Sequence, residues 1–178
     1  VIANVGHRAN DNESARPFEL RLIRQGELDA AHALELACYP PEAAASREAF
    51  AFRQQHFPGY FWSAWQNGTL IGLACGVRTN EDSSESDHVK GAHGAETDGR
   101  FLCVLSVAVD RGRRRRGIGQ SLMEALIRQA ASDRLEAVVL MCEAHLIGFY
   151  EGLGFRYAGR SASEHGGIQW HEMKLRLA

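Results

Sequence analysis

The chain has 178 residues, 45% of them hydrophobic and 24% charged, with a formal net charge of −2 and a pI near 6.5. This length suits a single domain with a substantial core, and the slight acidity excludes a surface built to grip nucleic acid along its backbone. No apolar run is long enough to span a bilayer, and the amino terminus lacks the charged-then-apolar order of a secretion signal.

Residues 1–16, VIANVGHRANDNESAR, are polar and aperiodic and read as a flexible arm, leaving residues 17–178 as one domain. FELRLIR alternates apolar and charged residues, the pattern of a half-buried strand. GELDAAHALELA places Leu28, Ala31, Leu34 and Ala37 at helical spacing until Pro40 and Pro41 stop it. SREAFAFRQQHF, opening on a serine cap, predicts a second short helix. GYFWSAWQ and LIGLACGVR flank Asn67-Gly68, the signature of a tight hairpin.

A long polar, acidic loop follows from about residue 79 to residue 99; loops of that length carry function or disorder. FLCVLSVAV is continuously apolar, as a central strand covered on both faces must be. A helix from Gly117 to about Ala131, a buried strand EAVVLMC, a short helix in HLIGFYEGLGF and a last strand IQWHEMKLRL complete the order, with one more strand expected near residues 156–160. The sum is an α/β fold, a mixed sheet with helices on both faces. Cys38, Cys75, Cys103 and Cys142 are widely spaced, with no zinc-ligand spacing. No metal site is expected, and the four read as reduced thiols of a cytoplasmic protein.

DRGRRRRGIGQ, residues 110–120, is the stretch with chemistry in it. A buried strand ends at Val109 and a helix opens at Gly117, so unpaired helix amides, bare glycine backbone and arginines meet in one turn. That combination predicts a phosphate seat. It lacks the Gly-Lys-Ser/Thr of a nucleoside-triphosphate loop and the G-x-G-x-x-G of a dinucleotide fold.

VAVDRGRRRRGIGQSLM resembles the cofactor segment of the GNAT superfamily of acyl-CoA-dependent N-acetyltransferases, whose Q/R-x-x-G-x-G/A signature is met by Arg114, Gly117 and Gly119. FYEGLGF, Phe149 to Phe155, is similar to the superfamily's second signature. AVVLMCEAHLIGFYEGLGFRYAG, the ending WHEM and ACYPPEAAAS narrow the resemblance to the arylalkylamine N-acetyltransferases.

The resemblance implies a sheet whose central strands, 101–109 and 136–142, splay apart to admit acetyl-CoA. Backbone groups of Val107, Ala108 and Val109 would then take the pantetheine arm, and Arg114, Arg115, Arg116, Gly117, Ile118, Gly119 and Gln120 the pyrophosphate. Tyr150 would protonate the departing thiolate, while Met141, Trp170, Tyr39 and Pro40 would line the site of a small-molecule amine. Phe57, Tyr60 and Phe61 would add apolar wall. The overall acidity and the absence of a long apolar run lead us to expect no nucleic-acid or membrane partner, and a monomer or homodimer is expected.

The proton acceptor is the gap in this scheme. The vertebrate arylalkylamine enzymes carry two histidines where this chain has Cys103 and Leu105. His88, His93, His171 and Glu143 are substitutes, and none is chosen from sequence. A polyamine, a protein amine or an amino-sugar remain alternative acceptors, and a non-catalytic acyl-CoA-binding module the alternative to an enzyme.

Overall fold

The structure is a computed structural model that describes residues 17–82 and 94–177. In chain order the elements are β1 (Glu19–Leu22), α1 (Leu28–Cys38), α2 (Arg47–His56), β2 (Phe61–Gln66), β3 (Thr69–Thr79) and β4 (Phe101–Val109). There follow α3 (Ile118–Ser132), β5 (Ala137–Cys142), α4 (Ile147–Gly152), β6 (Arg156–Arg160) and β7 (His171–Arg176). The expected order holds, including the extra strand at 156–160. The last strand begins later than expected, because Ile168–Trp170 lie in the approach to it.

The seven strands of the described residues form one sheet in the order β1-β2-β3-β4-β5-β7-β6. Among these strands only β4 and β5 run parallel, because α3 carries the chain back between them. Other neighbours are antiparallel, and Asn67 and Gly68 make the β2–β3 hairpin with φ of 49° and 77°. Two positive φ values are what a two-residue hairpin turn demands.

Each face carries its own apolar cluster. On one side α1 and α2 set Leu28, Ala31, Leu34 and Phe50 against Phe61, Leu73 and Ala108. On the other, α3 sets Ile118, Leu122, Met123 and Leu126 against Ile71, Ala74 and Leu102, and Tyr150 and Phe155 join the same cluster. Burial of each large apolar side chain stabilises the fold by about 1.5–3 kcal/mol. Gly72 allows the close approach of α3, since a Cβ there would sit 2.8 Å from an Ile118 methyl carbon.

Two irregularities prepare the site. Opposite β3, Cys75 faces Ser106 and Gly76 faces Val104, so Leu105 has no partner and forms a one-residue bulge in β4. Bulges bend and twist the strand that carries them. On its other edge β4 pairs with β5 through Phe101↔Ala137, Leu102↔Val138, Cys103↔Val139 and Val104↔Leu140, and then stops. The ladder ends at the bulge. From Leu105 outward the two strands run apart.

Candidate active site

The parting of β4 and β5 opens onto a cavity of about 310 Å³. Leu105, Ser106 and Val107 line it from β4, Leu140, Met141 and Cys142 from β5, Glu35 and Arg53 from α1 and α2, and Tyr150 from α4. It therefore reaches from the α1–α2 side of the sheet through to α4. Two loops meet over it. His165 Nε2 lies 3.2 Å from the Ala43 carbonyl, and Gly166, at φ 65°, sits so close to Ala43 that a Cβ would come within 2.7 Å of its methyl.

Beyond the bulge, the edge of β4 that faced β5 has lost its strand partner, and such groups need a side chain, water or ligand. The Val107 carbonyl accepts from the Tyr39 hydroxyl at 2.7 Å, and the Val109 carbonyl from Arg114 Nε at 3.2 Å and Cys38 Sγ at 3.4 Å. Strand alternation turns the Val107 and Val109 amides the same way and faces Ala108 toward Leu73 of β3. Two of the three residues expected to offer backbone to a ligand thus face the gap, and Ala108 faces away from it.

Past Val109, Asp110 caps a short turn over Arg111–Arg113 by accepting from the Gly112 amide. Arg113 is held by Asp110 and Gln66, which withdraws it from any ligand. Arg114, Arg115 and Arg116 are exposed. Gly117 adopts φ 79° as the N-cap of α3 and supplies no capping side chain, and the first turn holds no acidic residue. The amides of Ile118, Gly119 and Gln120 therefore open the helix without a capping side chain, next to three cationic ones. The Ile118 side chain is buried and the Gln120 amide group donates to Glu124, so both residues offer backbone rather than side chain. A Cβ at Gly119 would stand 3.7 Å from Val109 of β4 and from Phe149 of α4. The helix thus begins at the outer mouth of the split.

FYEGLGF holds Tyr150 rigidly. Its ring packs edge-on against Phe149 at 5.0 Å and Phe155 at 5.7 Å. The Phe155 amide donates back to the Tyr150 carbonyl, with Gly154 at φ 97° between them, a glycine-closed helix end. Tyr150 is 5% exposed, and burial pushes its hydroxyl far above the usual phenol range, with smaller contributions from Tyr39 and Cys142. The proton stays on throughout the neutral range. Tyr39 is raised likewise, first by burial and then by Glu35.

The residues expected around the amine divide. Met141, Trp170 and Tyr39 line the cavity, with Met141 Sδ accepting from Ser161 and Trp170 Nε1 donating to the His165 carbonyl at 2.9 Å. Pro40 does not: it is exposed, and its carbonyl closes a turn with Ala43 and Ala44. Phe57, Tyr60 and Phe61 are core, Tyr60 bonding Asp133 at the far end of α3 and Phe61 stacking edge-on with Phe50.

Among the candidate bases, His171 is outside the wall, its Nδ1 bonded to the Tyr157 hydroxyl at 2.8 Å. Glu143 is on the wall, and His88 and His93 lie outside the described residues. Cys103 and Leu105 do stand on the wall, at the root of the split. Three polar residues beyond those expected from the sequence join them: Glu35, Arg53 and Ser106, all buried. The signal was available for two of these. Glu35 stands seven residues after Leu28 and four after Ala31, and Arg53 three after Phe50, at positions of the buried helical faces.

Comparison with known proteins agrees with this architecture. The sequence profile of the Acetyltransferase (GNAT) family matches residues 28–155. Among solved structures, the GphF GNAT-like decarboxylase in complex with isobutyryl-CoA superposes with a TM-score of 0.77 at 21% identity, covering 90% of this chain and 100% of that one. The ribosomal-protein-S18-alanine N-acetyltransferase from Escherichia coli gives 0.67 at 22% identity, covering 90% and 94%. Arabidopsis thaliana Naa50, in complex with the bisubstrate analogue CoA-Ac-MVNAL, gives 0.71 at 13%, covering 90% and 99%. Comparison with the curated proteins finds no match. These identities speak to the fold, while the profile spans most of the chain: the protein belongs to the acetyltransferase (GNAT) family.

Proposed function

We propose that the protein transfers the acetyl group of acetyl-CoA to a small primary amine with an aromatic body, an arylalkylamine. One observation carries the reading: the β4–β5 ladder ends at Val104↔Leu140 and opens a cavity that holds Tyr150 together with Met141 and Trp170. The outward-facing backbone of Val107 and Val109 suits a pantetheine arm, once Tyr39 releases the Val107 carbonyl or shares it. The amides that open α3 at Gly117, with Arg114, Arg115 and Arg116 beside them, suit a pyrophosphate. Transfer is then direct. A thioester carbonyl placed in the split is attacked by the amine, and Tyr150, protonated and fixed by its aromatic neighbours, supplies a proton to the leaving sulfur.

The cavity wall supports this acceptor class. Its volume of about 310 Å³ is at the small end of ligand sites. Leu105, Met141, Leu146 and Trp170 give it an apolar surface fit for an aryl group. A protein chain is disfavoured by the two loops that touch over the cavity at His165 and Ala43.

Thiol release from acetyl-CoA across a panel of tryptamine, tyramine, spermidine, glucosamine and an unblocked tetrapeptide tests this. The arylalkylamines should lead in kcat/KM. Preference for spermidine or the peptide would refute the acceptor class, and failure of acetyl-CoA to raise Tm would refute the transferase reading itself.

A further inference from the structure

Glu35, Arg53 and Ser106 are 2%, 5% and 4% exposed, and all three stand on the cavity wall. None is used by the reading above. A guanidinium stays charged wherever it is placed, and burying it is costly unless an anion answers it. Arg53 Nη1 donates to Ser106 Oγ at 3.2 Å and to Cys75 Sγ at 3.6 Å, with the Phe50 ring 5.6 Å away. Ser106 passes the polarity on by donating to Glu35 Oε1 at 3.2 Å, and the Ala45 amide donates to the same oxygen at 3.4 Å. Glu35 is thus the anion that answers Arg53 through a hydroxyl.

Its second oxygen is the anomaly. Glu35 Oε2 is buried with no hydrogen-bond partner, alone in this among the side-chain atoms of the described residues. Buried polar atoms are nearly always paired, so an unpaired one asks for a missing donor. It belongs to a residue of the cavity wall, which Tyr39 and Tyr150 line as well. Burial lifts the Glu35 carboxyl above the usual carboxylate range, against the opposing pull of the Ala45 amide, Arg53 and Ser106.

We propose that Glu35 Oε2 receives the ammonium of the acceptor amine and takes its proton, with Arg53 and Ser106 as positioning residues that hold the carboxylate for it. This rests on the transferase reading and supplies the proton acceptor it lacks. An alkylamine has a pKa near that of lysine, about 10.4, and arrives charged. One N–H bond of the ammonium breaks and its proton passes to Oε2. The freed lone pair forms the C–N bond at the thioester carbonyl, and the C–S bond breaks. The sulfur leaves with the Tyr150 hydroxyl proton, which the second N–H proton of the attacking nitrogen replaces. Thioester and ammonium become amide, thiol and one proton, the last released from Glu35 to water. The acceptor is accordingly cationic, and an uncharged nucleophile gains little from Glu35.

The test compares Glu35→Gln and wild type with tryptamine and with hydroxylamine, which is uncharged at neutral pH. The tryptamine kcat/KM should fall about 100-fold. The hydroxylamine value should stay within about threefold, and acetyl-CoA should raise Tm of the variant as it does for wild type. Glu35→Asp should recover part of the tryptamine rate.

The pH profile gives a second readout. Glu35 works as the anion, so wild type should lose tryptamine kcat/KM as pH falls through the raised Glu35 value, and Glu35→Gln should lack that acid limb. Among the described residues, Arg53, Cys38, Cys75 and Tyr39 are the other titratable groups around Glu35. If Glu35→Gln does not fold, Ser106→Ala takes its place: loss of the donor to Oε1 should move the acid limb to higher pH. Equal losses with both nucleophiles, or an acid limb that neither variant moves, would overturn the proposal. So would a wild type that binds acetyl-CoA and serves neither nucleophile. Absence of acetyl-CoA binding overturns the parent reading, and that outcome separates the two.

Discussion

The two ends of the split are made of different material. At the α3 end the groups offered to a ligand are main-chain: the outward edge of Val107 and Val109, and the uncapped amides after Gly117. At the inner end, on the cavity wall, they are side chains, namely Glu35 and Tyr39 from the α1–α2 side, Tyr150 from α4 and Trp170 before β7, each fixed by a neighbour or by burial. A main-chain seat depends on backbone course and tolerates exchange of the side chains around it. A side-chain seat depends on single atoms. The first suits a cofactor shared by a whole family, the second an acceptor particular to one member.

Substitutions at the two ends should therefore differ in kind. Tyr150→Phe removes one oxygen from a ring that stays packed, and should lower kcat about 100-fold with acetyl-CoA affinity unchanged. Undiminished turnover would deny the hydroxyl its role. Because burial keeps that hydroxyl protonated far above neutrality, the wild-type rate should show no alkaline fall from Tyr150 up to pH about 10. Gly117→Glu places a carboxylate at the seat and strains a φ of 79°. Acetyl-CoA affinity, read by calorimetry, should weaken about 30-fold. Gly117→Ala, whose Cβ meets only open space, isolates the backbone part of that loss.

Trp170→Ala should raise KM for tryptamine about tenfold and leave acetyl-CoA binding alone. A matched loss for spermidine would mean that the indole supports the loop rather than the substrate. Smallest of all, Arg115→Ala and Arg116→Ala should each cost about twofold in acetyl-CoA affinity, and less in high salt, since exposed charges are well screened. A tenfold loss at either would make that end a side-chain seat after all.

The main-chain end is also the end legible in the sequence, for the same reason. Glycines and a strand-turn-helix order announce a backbone geometry wherever they stand, so Gly117, Gly119 and the close of α4 at Gly154 were within reach. The side-chain end is less legible because apolar character alone does not say which surface a residue meets. Phe57, Tyr60 and Phe61 satisfy the same pattern as a pocket wall, and the fold places them in the two cores. Pro40 sits in the right loop and faces out. Glu35 and Arg53 do not stand out in the sequence because charges in a helix usually meet solvent. Their phase with Leu28, Ala31 and Phe50 placed them inside, and a charge in such phase asks for a partner. The end of β4–β5 pairing depends on the bulge at Leu105, which no residue type in FLCVLSVAV announces.

That bulge has a consequence for how such a protein can change. The opening comes from a surplus residue in the strand, so its existence is independent of the groups that happen to border it. Neighbouring positions are free to drift toward a new acceptor without the sheet having to be reinvented. Loss of the single surplus residue would do the opposite, letting the two strands zip shut and ending the lineage's chemistry in one deletion.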